Sequence, residues 1–407
     1  MIGVLRLPGD VRFGAGVRAG IPSAVAELGT RVFVVADPFL ATTPPFSELV
    51  DGLRAGGCIV SVHTVVPPEL PVESVEMSGA VAAEFAPDVI IGYGGGSALD
   101  AAKLIAVVIA HGAPLSRFYG ENAVPGPVAP IVAVPTTSGT GSEATPVAVV
   151  SDAGRALKVG VSSPHLVPRV AFVDPELTIG APHGVTVYAG IDALVHAVES
   201  YTATELDLDL ASRLPVFVGR NVLTAPLSLE AAGLLFRALP RVLDDPGDRD
   251  ARADMARGSL LAGIAFGSTG THLSHAIQYP IGAMTKTPHG LGTGALLPYV
   301  LQTVRPAVEQ RLVELGHAIG VLDAHATTAT DDSQRVVDAI AAPCERVGLP
   351  VALSDIGVAV DDVSAIVELT LHVGRLVAIS PAPAGREFLT RIVTAAVTGD
   401  RAQLVTP

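Results

Sequence analysis

The sequence predicts an α/β N-terminal dinucleotide-binding domain with a parallel sheet over residues 1–178, followed by an all-α C-terminal domain over residues 179–407. Three observations predict it. Short β-branched runs alternate with Ala-rich helical stretches up to about Thr178. Beyond that point strand-like runs nearly vanish, and long Ala/Leu/Val patterns of helical period replace them. Between the halves, Pro175, Gly180 and Pro182 suit a short connection.

The expected strands are residues 31–36 (RVFVVA), 58–62 (CIVSV), 88–92 (DVIIG), 131–134 (IVAV) and 170–173 (VAFV). Several of these runs are apolar on both faces, so helices must cover the sheet on both sides, with crossovers such as residues 98–110 making the strands parallel. In the second half the spacing predicts helices over residues 188–201, 228–239, 251–266, 306–319, 333–347 and 360–371. The polar stretches 244–250 and 324–333 are expected to be surface loops.

With 407 residues there is chain enough for two cores of ordinary size, and the absence of Trp means Ala, Val, Leu and Ile must fill them. A net charge of -14 excludes nucleic acid as a partner, because gripping phosphates takes clustered Lys and Arg. It leaves room for a small anionic substrate held by one or two local charges. Cys58 and Cys344 are too few for a disulfide framework, which fits a reducing cytoplasm. The first residues, MIGVLRLPGDVRF, lack a basic leader followed by an apolar run, and no apolar run is long enough to span a bilayer. A cytoplasmic protein with no membrane partner is expected.

The segment GIDALVHAVESY sets Asp192 and His196 four residues apart in a helical pattern, so both side chains face the same way. In THLSHAIQYPIGAMTKTPHG, His275 and His289 stand fourteen residues apart. Any one of these is an ordinary residue by itself; jointly they outline a metal site. Three imidazoles and one carboxylate suit Fe²⁺ or Zn²⁺ better than Ca²⁺ or Mg²⁺. His272, three residues before His275, falls on a neighbouring helical face.

Two small-residue loops follow expected strands. Gly94, Gly95, Gly96 and Ser97 lead into the helix at 98–110, whose N-terminus would offer free N–H groups to a pyrophosphate. The pattern is not GxGxxG, and a bare glycine run is as often a tight turn. PTTSGTGSEA, residues 135–144, follows strand 131–134 at the edge where parallel sheets bind ligands. Asp37 closes strand 31–36, placed either to accept bonds from a ribose and repel a 2′-phosphate or to form a turn before Pro38.

Taken together, GDVRFGAG, VVADPFL, GYGGGSALDAAK, VPTTSGTGSEAT, VDPELT, GIDALVHAVESY and HAIQYPIGAMTKTPHG resemble the iron-containing (group III) alcohol dehydrogenases, a family in one superfamily with glycerol dehydrogenase and dehydroquinate synthase. The resemblance implies an N-terminal NAD(P)-binding domain, a helical metal-binding domain and a cleft between them. It assigns Asp192, His196, His275 and His289 to the metal, Fe²⁺ with Zn²⁺ as the other option. Cofactor contacts fall to Asp37, Gly95, Gly96, Ser97, Asp100, Thr136, Thr137, Thr140, Thr145 and Lys158, with NAD expected over NADP. It also implies a homodimer acting on a small alcohol or its aldehyde or ketone.

One residue departs from the family pattern. Many members carry a second histidine four residues after the position of His275, where this chain has Tyr279. A tyrosine there bonds hydrogen but is no near-neutral acid or base. Tyr279 and His272 are the expected catalytic side chains, with His272, the cofactor ribose and ordered water all open as proton routes. Maleylacetate reductase and hydroxyacid-oxoacid transhydrogenase remain alternatives, supported if a basic cluster lines the cleft. A dehydroquinate synthase-like lyase and a non-catalytic nucleotide-binding protein are the rivals from other classes.

Overall fold

The computed structural model describes residues 2–67, 69–155, 157–323 and 328–405. Its first half contains β1 (Asp10–Phe13), α1 (Ile21–Ala26), β2 (Arg31–Ala36), α2 (Pro44–Ala55), β3 (Ile59–His63), α3 (Val72–Phe85), β4 (Val89–Gly94) and α4 (Gly96–His111). It continues with β5 (Gly120–Glu121), β6 (Ile131–Pro135), β7 (Val147–Val150), β8 (Val159–Ser162) and β9 (Val170–Val173). Six strands form one parallel sheet in the order β1, β9, β6, β4, β2, β3. Alternate residues of β2 supply its two cores: Phe33 and Val35 pack with Ile90, Ala102 and Ile105, while Val32 and Val34 pack with Ile21, Phe46 and Leu49. That double covering is why the strands read as continuous apolar runs.

The five strands expected from the sequence are all present, within a residue or two at their ends. β1 was not among them, because its four residues, DVRF, mix two charges with two apolar side chains at a sheet edge. The small sheet β5, β8, β7 was also unexpected, its strands being four residues or fewer. It matters because it walls the functional cleft.

The second half contains α5 (His183–Thr202), α6 (Ala225–Asp244), α7 (Arg249–Thr269), α8 (Leu273–Thr285), α9 (His289–Ile319), α10 (Ala329–Arg346), α11 (Val363–Leu371), α12 (Gly374–Ala378) and α13 (Arg386–Thr398). α5 is the central helix: Ile191, Leu194, Val195 and Val198 sit in one core with Leu235, Leu239, Met255, Leu296 and Val300. The bounds of α8 and the first half of α9 were not given by the sequence, because Pro280 and Pro298 interrupt their patterns. The start expected at residue 306 is instead a bend within α9 at Val308 (φ -135°), just past Pro306, which has no N–H for the turn before it.

The expected loop at 324–333 is corrected in its second part, residues 324–327 lying outside the described residues. α10 begins at Ala329, capped by the Thr328 hydroxyl accepting from the Asp331 amide, and Asp332 and Ser333 are buried. Among the described residues no helix is long and apolar enough to cross a membrane.

Contacts from the segment before β1 and from the loop after β6 hold the halves together at the cleft. The Arg6 amide donates to Ser268 Oγ at 2.7 Å, and its guanidinium donates to the Val216 and Pro215 carbonyls. The loop after β6 touches α7 directly: a Cβ on Gly141, which has φ +61°, would fall 2.5 Å from Gly263 Cα. Only glycine permits both that backbone and that approach.

Candidate metal centre and nucleotide cleft

Helical periodicity puts Asp192 and His196 one turn apart on α5, aimed at His275 on α8 and His289 at the start of α9. Asp192, His196 and His275 are buried and offer ligand atoms all within 4.8 Å of one another. His289 stands at the rim, its side chain 38% exposed. The imidazole Nε2 atoms of His196, His275 and His289 lie 3.8, 3.8 and 3.7 Å from Asp192 carboxylate oxygens. Those gaps are too long for hydrogen bonds and near the ~3.4 Å edge of a tetrahedron with ~2.1 Å ligand bonds. Among the described residues His275 Nε2 is buried without any hydrogen-bond partner. An orphaned imidazole nitrogen aimed at a carboxylate at that spacing fits a divalent metal.

The other ring nitrogens are held so that Nε2 is the one presented. His275 Nδ1 donates to Glu199 Oε2 at 2.7 Å, and His196 Nδ1 donates to the Gly139 carbonyl at 3.3 Å. Phe266 stacks on His196 at 4.2 Å between ring centres, and the Thr293 hydroxyl donates to Asp192 at 2.9 Å. Burial pushes the His275 pKa well below 6.5, which keeps it a neutral ligand. Burial alone would raise Asp192, but His196, His289, His275 and the Thr293 hydroxyl outweigh it and hold the carboxyl below its ordinary value.

The cofactor loops meet at the carboxyl edge of the sheet, where Gly94 pairs with Pro135. α4 has no side-chain cap, and the amides of Gly96 and Ser97 find no acceptor among the described residues. A Cβ on Gly96 would fall 2.7 Å from Thr140 Cγ2, so the two loops close into a cradle at a helix N-terminus. Gly96, Ser97, Asp100, Thr140, Thr145 and Lys158 line the same cavity of about 290 Å³ as the four metal-site residues. Thr136 and Thr137 do not line it, although Thr137 lies against Gly95. Asp37 Oδ1 accepts from the Phe39 and Leu40 amides, so the turn at Pro38 is real and one carboxylate oxygen is left over.

Behind this cradle lies a charge cluster that sequence reading missed. Lys103, fully buried on α4, donates to Ser142 Oγ, Thr145 Oγ1 and the Thr145 and Val147 carbonyls, and burial brings its pKa down to about 8. It ties the threonine loop to the helix that would hold the phosphates. Burial pushes the neighbouring Glu143 up to about 7. Since that folded value exceeds the unfolded one, the stability Glu143 contributes is complete below about pH 4.5 and lost as pH rises through about 7. Glu143→Gln, which cannot ionise, should therefore flatten the decline in Tm between about pH 5 and pH 8, by at most about 3 kcal/mol of stability. Parallel declines in variant and parent would mean the carboxyl is already ionised when folded.

Residues 8–175 match the family described as iron-containing alcohol dehydrogenase, and residues 186–397 match its C-terminal region. The chain is 34% identical to long-chain-alcohol dehydrogenase 1 of Geobacillus thermodenitrificans over 92% of each sequence. The chain belongs to the iron-containing alcohol dehydrogenase family. It is also 31% identical to the NAD-dependent methanol dehydrogenase of Bacillus methanolicus, over 84% of this chain and 87% of that one. A solved structure of 1,3-propanediol oxidoreductase superposes with a TM-score of 0.90 at 27% identity, over 97% of this chain and 100% of that one. The protein is thus an oxidoreductase of the alcohol dehydrogenase class.

Within this family frame, the two expected catalytic side chains part ways. Tyr279 lines the cavity, its ring 6.2 Å from that of His289, and burial pushes its phenol above its ordinary value of 10, so it is a neutral wall of the cavity. His272 does not line the cavity. It is fully buried, its Nε2 2.9 Å from Thr202 Oγ1 and its amide donating to Glu199 at 2.9 Å. The structure thus corrects its placement on the helical face beside His275: it is the non-helical residue before α8, with φ -125° and ψ -117°. It lies against Glu199, its Nδ1 3.3 Å from Glu199 Oε1.

Glu199 itself went unnoticed in the sequence. It sits on α5 at 0% exposure and accepts from the His272 and Ser274 amides as well as from His275. The available signal was its spacing, since positions 192, 196 and 199 share one helical face.

Proposed function

We propose that this enzyme oxidises an alcohol to its aldehyde or ketone, and runs the reverse, using Fe²⁺ held by Asp192, His196, His275 and His289 and NAD held against Gly96, Ser97 and Thr140. One observation carries it: the orphaned His275 Nε2 faces the same cavity as the uncapped amides of α4, so metal and cofactor sites share one space. A divalent ion bound there supplies Lewis acidity toward the alcohol oxygen. Nicotinamide supplies the hydride acceptor. The protein's own contribution is placement and exclusion of water. α5 and α8 fix the imidazoles, Glu199 and the Gly139 carbonyl keep Nε2 toward the centre, and Phe266 and Tyr279 wall the cavity. His272, fully buried on Thr202 and absent from the cavity lining, is not placed to take the hydroxyl proton.

Asp37 is the proposed ribose partner, through the oxygen its turn does not use. The parent should favour NAD over NADP by ~10-fold or more in kcat/KM, and Asp37→Gly should narrow that ratio by relieving repulsion of the 2′-phosphate. The measurement is alcohol-dependent reduction of each cofactor by protein stripped of metal and reloaded with Fe²⁺. A parent that prefers NADP sinks the Asp37 assignment. Full turnover by the stripped protein sinks the metal role.

A further inference from the structure

Five residues lining the metal-site cavity carry carboxylates or side-chain cations: Glu69, Asp100, Lys158, Asp192 and Arg375. Asp192 belongs to the metal centre. Asp100 accepts from the Ser142 hydroxyl at 2.6 Å and from the Val149 amide at 2.9 Å, and Lys158 is ion-paired with Glu69. Arg375, on α12, remains. Its Nε is 3.8 Å from Glu121 Oε1, beyond hydrogen-bond reach, and among the described residues its guanidinium makes no hydrogen bond. Its Cζ lies 4.1 Å from the centre of the Phe217 ring, which holds the group flat while leaving its N–H edges free. A guanidinium carries five donors in a fixed fork, and with the side chain 29% exposed those donors stay open to a ligand entering the cavity.

The surroundings of Arg375 point the same way. Arg375, Lys158 and Tyr279 also line an adjoining cavity of about 660 Å³, whose other charged walls are Arg155 and Glu121. With Lys158 paired to Glu69, Arg155 and Arg375 stand against Glu121, a small local excess of positive charge on a chain whose net charge is -14. Such a cleft draws anions from a surface that otherwise repels them.

We infer that Arg375 anchors an anionic group at the far end of the substrate, so that the enzyme takes a short hydroxy acid or hydroxy sulfonate in preference to a plain alcohol. This rests on the alcohol dehydrogenase reading above and names its substrate class. The bonds broken are the carbinol C–H and O–H whichever substrate is bound; the anion is a handle and is not itself changed. A planar carboxylate matches the fork through two parallel N–H donors, and a sulfonate offers three acceptors to the same edge. The competing role for Arg375 is a structural one, joining α12 to Phe217 and Glu121.

The test is kcat/KM of the iron-loaded enzyme with NAD for ω-hydroxy acids, ω-hydroxy sulfonates and 1-alkanols of matched chain length, at low and high salt. The parent, Arg375→Lys and Arg375→Met are compared. The parent should favour the best anionic substrate over its matching alkanol by about 100-fold, with the advantage shrinking as salt rises. Arg375→Met should bring that ratio to within a few-fold of one, and Arg375→Lys should fall between. The acid and sulfonate series distinguish which anion fits. A parent that prefers alkanols, or a ratio unchanged in Arg375→Met, overturns the inference and leaves Arg375 a structural contact. If Arg375→Met does not fold, the parent ratio and Arg375→Lys decide. Alkanol turnover with no anionic advantage refutes this inference alone, whereas no turnover of any alcohol by protein shown to bind iron and NAD refutes the function on which it rests.

Discussion

His275→Ala should lose most bound iron and roughly 10³-fold or more of kcat/KM while still binding NAD. Three ligands would remain, but the one removed is buried at the centre of the set, 4.7 Å from the His196 ring and 5.3 Å from that of His289. Its loss opens a space that water fills without replacing a charge-oriented imidazole, and it frees Glu199 from one of its three N–H partners. The nucleotide cradle at Gly96, Ser97 and Thr140 is built on α4 and the loop after β6, which this change does not touch. Iron content, turnover and NAD affinity measured on one preparation check it. Full metal and full turnover in the variant would mean that His275 is no ligand, whereas loss of NAD affinity along with iron would mean that the fold, not the site, had failed. His289→Ala should act in the same direction and more mildly, because that side chain is 38% exposed and water replaces it at less cost.

The parts of the site legible in the sequence are those whose geometry is local. Asp192 and His196 follow from one helical turn, and the glycine and threonine loops follow from strands that end where ligands bind. His272 shows where local geometry misleads: spacing placed it on a helix face, but α8 starts one residue later and the backbone turns its ring away. Lys103 sits in an apolar helix three residues after Asp100, a fully buried cation that the pattern of α4 displays to anyone who asks why it is there. Arg375 had no such signal. It lies on a five-residue helix 86 residues beyond His289, and only tertiary folding brings it beside Tyr279. The edge strand β1 and the small sheet were similarly opaque, because four-residue strands carry too little periodicity to separate from loops.

Glu199→Gln should weaken iron binding by roughly 10- to 100-fold, with turnover largely restored by excess Fe²⁺. The carboxylate now accepts from three N–H groups, those of His272, Ser274 and the His275 ring, using both oxygens. A carboxamide has one oxygen and one NH₂, so whichever way it turns, its NH₂ meets an N–H donor. Either the His275 ring rotates, spoiling the aim of Nε2, or a backbone amide at the start of α8 loses its acceptor. Both loosen the metal, and the second also costs about 1–3 kcal/mol of stability for a buried unmet donor. The two outcomes separate cleanly when iron titrations and melting curves are run together. Weak iron binding that saturating metal rescues marks Glu199 as the residue that orients His275 and strengthens it as a ligand. A lowered Tm with iron affinity unchanged would instead reduce Glu199 to a cap for α8, and the aim of His275 would then rest on packing against His196 alone.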